Sequence, residues 1–254
     1  MSDTQKLTYF MSDMHLGARY LPDRRAHEAR VVEFLRSIRS TAEALYLVGD
    51  VLDYWYEYRT VAPRGYVRFF GALAELADAG VRITWLTGNH DIWLFDYLRD
   101  EIGLEVAHGP ITTDIRGHRF FIAHGDGLGR TSPAFRLMRY LFRNRACQWL
   151  FASVHPRWTI PFAHRWSSGS RGYVPGAEAE WSGRMRADVE AWAQDFAASH
   201  PDVEYIVLGH HHVVVDEAVT PSCRLIILGD WISHDSYASY DGEQIKIHHF
   251  ATKN

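Results

Sequence analysis

Short apolar runs alternate with amphipathic stretches along the first ninety or so residues. Leu7 to Met11 (LTYFM), Ala44 to Val48 and Val81 to Leu86 are runs of strand length and character. Arg24 to Arg39 places Ala26, Ala29, Val32, Phe34, Leu35 and Ile38 at helical spacing, and Tyr66 to Ala79 reads as a helix stopped by Gly80. Strands alternating with helices predict a β-α-β core with a largely parallel sheet.

The second half is patterned differently. Arg119 to Ala123 and Val203 to Leu208 read as strands, and Val213 to Val219, Arg224 to Leu228 and Gln244 to His249 as a run of β segments. Between them lie two helical stretches, around Ala134–Phe151 and Ala177–Ser199, joined by the Gly/Ser/Arg/Pro stretch from Ser167 to Gly176. We therefore divide the chain into a core, residues 1–127 with 201–254, and a helical cap insertion, residues 128–200.

Composition narrows the classes. The 254 residues are 47% hydrophobic and 23% charged, which is ordinary for a folded globular chain. The formal charge of −4 disfavours an electrostatic nucleic-acid binder, so no nucleic-acid partner is expected. Cys147 and Cys223 are far apart and in no C-x-x-C pattern, which excludes a cysteine zinc site or a disulfide scaffold. The segment MSDTQKLTYF is no signal peptide, and no run approaches the ~18 apolar residues of a membrane span. A cytoplasmic protein is expected. The unusual entries are 15 histidines and 14% aromatic residues.

The polar residues that matter follow the strands. Asp13-x-His15 follows the first, Gly49-Asp50 the second and Gly88-Asn89-His90-Asp91 the third. His124 follows a later strand, and Gly209-His210-His211-His212 another. Side chains beyond the carboxyl ends of strands in open α/β sheets converge on the ligand crevice. Imidazoles mixed with carboxylates suit borderline divalent metals. Two such ions, one carboxylate between them, can clamp a phosphoryl displacement and generate a hydroxide nucleophile near neutral pH. Singly, each aspartate is a common turn former or cap and each histidine an ordinary half-buried residue; jointly, five such endings in order point to metal chemistry. His211 should point away from its neighbours if the segment is extended.

This series resembles the calcineurin-type binuclear metallophosphoesterase signature, in the family's order and across nearly the whole chain. The resemblance implies an α/β sandwich of two β-sheets flanked by helices. It implies two divalent ions: Asp13, His15, Asp50 and His212 on the first, and Asp50, Asn89, His124 and His210 on the second, with Asp50 as the bridge. Asn89 and His90 would be the catalytic pair, His90 acting beside the phosphate as acid or charge stabiliser.

The insertion bears on substrate. Phe135, Met138 and Phe142 share one face of a helix, while Leu137, Tyr140 and Leu141 lie on others. Arg130, Arg136, Arg139, Arg143 and Arg145 interleave with them. Greasy surface beside arginines suits an amphiphile; a cap helix packed on the sheet with solvated arginines reads equally well. The H-G-D-G-L at 124–128, the Arg/Ser-rich stretch His164 to Arg171 and Leu47-x-Gly49-Asp50-x-x-Asp53-x-Trp55 are similar to the UDP-2,3-diacylglucosamine hydrolases of lipid A biosynthesis. That resemblance implies hydrolysis of the substrate's pyrophosphate at the UMP phosphorus with Mn²⁺, acyl chains housed under the cap, and peripheral contact with the cytoplasmic face of the inner membrane. Arg165, Ser167, Ser168 and Arg171 are then the candidate phosphate and glucosamine contacts, with a basic surface loop as the plain alternative. Trp55 and Tyr56 either stack on a base or sugar or belong to the core. One departure stands out: the best-known hydrolases carry Arg where this chain has His90, and histidine is the commoner pattern of the superfamily. A soluble phosphodiesterase or nucleotide phosphatase would show the same metal motif. A non-catalytic scaffold would have lost ligands, and here every ligand position is filled. The sequence sets no oligomeric state.

Overall fold

The computed structural model describes residues 5–129, 131–170 and 184–251. The elements run in chain order as β1 (Leu7–Met11), α1 (Arg24–Ser37), β2 (Ala42–Val48), α2 (Val67–Asp78), β3 (Arg82–Leu86), α3 (Tyr97–Ile102), β4 (Glu105–Ala107), β5 (Ile111–Ile115) and β6 (His118–Ala123). Then follow α4 (Pro133–Arg143), α5 (Arg145–Ala152), α6 (Pro156–Ser170) and α7 (Arg184–Ser199). The chain returns to strands with β7 (Tyr205–Leu208), β8 (Val214–Thr220), β9 (Cys223–Leu228), β10 (Ser236–Tyr240) and β11 (Ile245–His249).

Two mixed sheets result. The first runs β11-β10-β1-β2-β3-β4, parallel from β1 to β4 and antiparallel through β10 and β11. The second runs β5-β6-β7-β9-β8, with β6, β7 and β9 parallel. The strand periodicity explains how they stack. Phe10 of β1, Phe120 and Ile122 of β6, Val207 of β7 and Ile226 and Leu228 of β9 share the apolar layer between the sheets. Their alternates face outward: Tyr9 and Met11 pack with Val31, Phe34 and Leu35 of α1 and Leu73 and Leu76 of α2. On the far side Phe121, Ile206, Leu208, Leu225 and Ile227 pack with Val189, Ala193 and Ala197 of α7. Strands buried on both faces read as unbroken apolar runs, which is why β1, β2, β3, β6, β7 and β9 were predictable.

Four features depart from the sequence reading. Both sheets are mixed: β10 (SYASY), which carries no strong strand signal, inserts antiparallel between β1 and β11 in the first, and β5 and β8 pair antiparallel with β6 and β9 in the second. The short edge strands β4 and β5 were equally silent. The helix expected over Ala134–Phe151 is two helices: Asn144 is extended (φ −76°, ψ 123°), ends α4 and caps α5 by accepting from the backbone N–H groups of Ala146 and Cys147. The linker expected from Ser167 begins inside α6, whose helical backbone continues to Ser170.

Candidate metal centre

The residues leaving the carboxyl ends of β1, β2, β3, β6 and β7 converge. Ligand atoms of Asp13, His15 and His212 lie within 4.8 Å of one another, as do those of Asp50, His124 and His210, and those of His15, Asp53 and His90. Strands β1, β2 and β7 run into left-handed backbone. Asp13, His15, Asp50, His210 and His212 take left-handed φ values of 51°, 44°, 51°, 69° and 54°. That region costs a non-glycine residue about 1–2 kcal/mol, so the local cost is concentrated at the predicted ligands. Gly88 has no side chain because a Cβ there would strike the Asp50 carboxylate.

Asp50 is central. Its Oδ1 accepts from the backbone N–H of His90 at 2.8 Å. Its Oδ2 stands 3.4 Å from His124 Nε2 and 3.7 Å from His15 Nε2, and so faces members of two ligand groups at once. Asp13 divides its oxygens likewise: Oδ2 accepts from His210 N–H at 2.7 Å, and Oδ1 faces His212 Nε2 at 3.4 Å and His15 Nε2 at 3.7 Å. Asn89 Oδ1 lies 3.2 Å from His124 Nε2. The opposite ring nitrogens are held from behind: His124 Nδ1 lies 2.9 Å from the Val48 carbonyl and His212 Nδ1 2.9 Å from Asp230 Oδ2. The Nε2 atoms are therefore turned inward.

This donor set fits a divalent cation pair. Ligands about 2.1 Å from a shared ion stand roughly 3–3.5 Å from one another, near the spacings of 3.4–3.7 Å found here. His212 Nε2 is buried and has no hydrogen-bond partner among the described residues. Both central carboxylates are fully buried and need positive charge nearby. Burial opposes ionisation of Asp50, but the imidazoles of His124, His90 and His15 outweigh it and hold the carboxyl well below its usual range. Burial likewise disfavours charge on His124, yet Asp50, with Asp13 and Asp126, raises it to about 10.

Two acidic residues beyond the predicted ligands complete the frame. Asp91, fully buried, accepts from Gly88 N–H at 2.7 Å and Asp50 N–H at 3.3 Å through Oδ1. Its Oδ2 accepts from Val51 N–H at 2.9 Å and Trp85 Nε1 at 3.1 Å. Burial, then the charge on Asp50, pushes Asp91 up to about 6. Asp230 follows β9 as Gly229-Asp230, the same ending as Gly49-Asp50 after β2; that repetition was the available signal. His211 lies outside the three ligand groups.

A cavity of about 1190 Å³ opens above the centre. Asp53, Asn89, His90 and His210 line its polar part, and Phe135, Leu137, Met138, Leu141, Phe142, Phe151 and Phe162 of α4, α5 and α6 its apolar part. Trp93 Nε1 donates to the Phe142 carbonyl at 2.9 Å, and Tyr56 Oη to the Gln148 carbonyl at 2.7 Å. These bonds fasten α4 and α5 to the core. Arg139 and Arg143 of α4 pair with Asp126, at 3.3 and 3.6 Å, so neither is merely a solvated charge. Trp55 and Tyr56 are buried core residues. Arg165 is exposed and lines the cavity. The side chains of Ser167 and Ser168, and Arg171 as a whole, lie outside the described residues.

Removing the Asp91 carboxylate should loosen the loops that carry Asp50 and Asn89. Asp91→Ala leaves four buried donors without their acceptor, and each costs about 1–3 kcal/mol. Chemical denaturation is expected to show a loss of at least about 3 kcal/mol. A loss below about 1 kcal/mol would mean that the carboxylate does not hold these loops.

The chain was compared with known proteins. Residues 7–214 match the model of the calcineurin-like phosphoesterase family. The chain is similar to a UDP-2,3-diacylglucosamine hydrolase of Porphyromonas gingivalis, 42% identical over 94% of this chain and 95% of the relative. It is also similar to one from Nitrosococcus oceani, 29% identical over 88% and 87% of the two chains. Among solved structures it is similar to a dimetal phosphatase from Danio rerio, 15% identical with a TM-score of 0.47, over 93% of this chain and 92% of that one. The family match over most of the chain identifies it as a member of the calcineurin-like phosphoesterase family.

Proposed function

We propose that this chain hydrolyses the pyrophosphate of UDP-2,3-diacylglucosamine to UMP and 2,3-diacylglucosamine 1-phosphate, a step of lipid A biosynthesis, with two Mn²⁺ ions. The observation that carries the reading is a carboxylate- and imidazole-rich floor beneath a large apolar chamber edged by arginine. A substrate with a charged diphosphate and two acyl chains matches both parts. The hydrolase relatives, one of them 42% identical over nearly its full length, support it.

Asp13, His15, Asp50 and His212 would hold one ion, and Asp50, Asn89, His124 and His210 the other, with Asp50 shared. When bound, the pair supplies an activated solvent nucleophile and a counter-charge for the phosphate. The chain does the rest. His90 Nδ1–H donates to the Asp53 carbonyl at 3.0 Å, which fixes the ring, and Nε2 is proposed to face the substrate phosphate. A ring at this place stabilises the charge that develops as the bridging P–O bond breaks. Arg165, with Ser167, Ser168 and Arg171, is proposed to contact the phosphate and glucosamine. The insertion of residues 128–200 is proposed as the cap that shelters the acyl chains through α4, α5 and α6, while its α7 packs on the second sheet.

The cap also turns apolar groups outward. Tyr140 is 65% exposed, Trp149 70% and Trp158 69%, with Arg136, Arg145 and Arg157 exposed on the same three helices. No helix among the described residues is long and apolar enough to cross a bilayer. We propose peripheral attachment to the cytoplasmic face of the inner membrane through these groups, tryptophan and arginine being suited to a headgroup interface.

The substrate is tested with purified protein and Mn²⁺. UDP-2,3-diacylglucosamine is expected to yield UMP and 2,3-diacylglucosamine 1-phosphate, resolved by mass spectrometry. Cleavage of simple aryl phosphodiesters with none of the lipid nucleotide would replace this reading with that of a soluble phosphodiesterase. Attachment is tested by sedimentation with anionic vesicles. Binding is expected to fall at least about tenfold in a Trp149→Ala, Trp158→Ala double variant, since each ring buries considerable area at an interface. Equal binding by variant and parent would overturn the cap as the attachment surface.

A further inference from the structure

We infer that Asp230 is a positioning residue that fixes the tautomer of His212 and thereby sets the affinity of one cation of the pair. The inference rests on His212 being a cation ligand. His212 presents its two nitrogens differently: Nε2 faces Asp13 Oδ1 at 3.4 Å, inside the group formed with His15, and Nδ1 faces Asp230 Oδ2 at 2.9 Å. A carboxylate can only accept, so the ring proton is held on Nδ1 and the lone pair of Nε2 points inward. His124 Nδ1 faces a neutral backbone carbonyl, whereas His212 Nδ1 faces a carboxylate.

Asp230 is itself over-determined. Its Oδ1 accepts from the backbone N–H groups of Ile232, Ser233 and His234 at 3.0, 2.7 and 3.2 Å. The turn it caps is tied to the loop of Asp13, because Trp231 N–H donates to the Asp13 carbonyl at 3.3 Å. Arg30 reinforces the link: its guanidinium donates to the Trp231 carbonyl at 3.1 Å, pairs with Asp235 at 2.8 Å and contacts His27, whose other ring nitrogen is 2.7 Å from the Met14 carbonyl. The carboxylate therefore has a fixed place relative to Asp13 and His15. Partners of this kind behind a ligating histidine are worth about 10–100-fold in metal affinity.

Asp230→Asn separates the two jobs of the side chain. Three backbone donors require an oxygen at the Oδ1 place, so the amide NH₂ falls opposite His212 Nδ1. That nitrogen must then accept, and the proton moves to Nε2, where it blocks the inward lone pair. The first readout is ¹⁵N NMR of the histidine rings in metal-free protein; the second is Mn²⁺ titration by calorimetry. The expected result is a switched His212 tautomer and one of two Mn²⁺ sites weakened about 10–100-fold, with an unchanged midpoint of thermal unfolding for the metal-free chain. His234→Ala, which leaves the His212 contact in place, should leave both sites intact. An unchanged tautomer would overturn the inference, as would equal weakening of both sites or unaltered binding. The NMR readout needs no substrate, so its outcome is independent of the lipid assignment.

Discussion

A buried carboxylate in a protein interior must be compensated, and Asp50 is a fully buried one at the place where two sheets bring their strand ends together. Its Oδ2 faces His15 from one sheet and His124 from the other at 3.7 and 3.4 Å. The surrounding order follows from that charge. The backbone N–H of His90 donates to the other oxygen of Asp50, and Asp91 accepts from the backbone N–H groups of Asp50 and Gly88. Left-handed turns at five predicted ligands and a bare glycine at 88 are tolerated because parallel strands, buried on both faces, hold the chain on either side.

The chemistry-bearing residues were legible because each stands just past an apolar run, and an apolar run buried on both faces is the easiest strand to read. Asp13, His15, Asp50, Asn89, His90, His124, His210 and His212 come close together beyond the strand ends. Asp91 was in plain view within Gly88-Asn89-His90-Asp91, but its work is to bind backbone N–H groups from the β2 and β3 loops, a contact no spacing reveals. Asp230 has the same Gly-Asp ending as Asp50, yet only the fold shows that it stands behind His212. The strands β4, β5 and β10 were missed for a different reason: edge position or small polar residues remove the hydrophobic signal. The break at Asn144 was a cap inside a helical pattern.

The aromatic excess divides along physical lines. Phe10, Tyr46 and Phe120 stack between the sheets. Tyr54, Tyr56 and Trp93 join Phe142 and Phe151 to seat α4 and α5 on the core. Trp149 and Trp158 remain on the outside of the cap. A single insertion thus has an inner apolar wall above the charged centre and an outer apolar face, with Arg139 and Arg143 anchoring it to Asp126 beside His124. The apolar groups of these helices thus lie on two sides, one lining the cavity and one facing solvent.

We propose that Asp50 is shared by two cations. Mn²⁺-loaded protein should contain two ions per chain and give the electron paramagnetic resonance spectrum of an exchange-coupled pair, because ions joined through one carboxylate stand only about 3.5–4 Å apart. A single Mn²⁺ per chain, or two ions with an uncoupled spectrum, would contradict it.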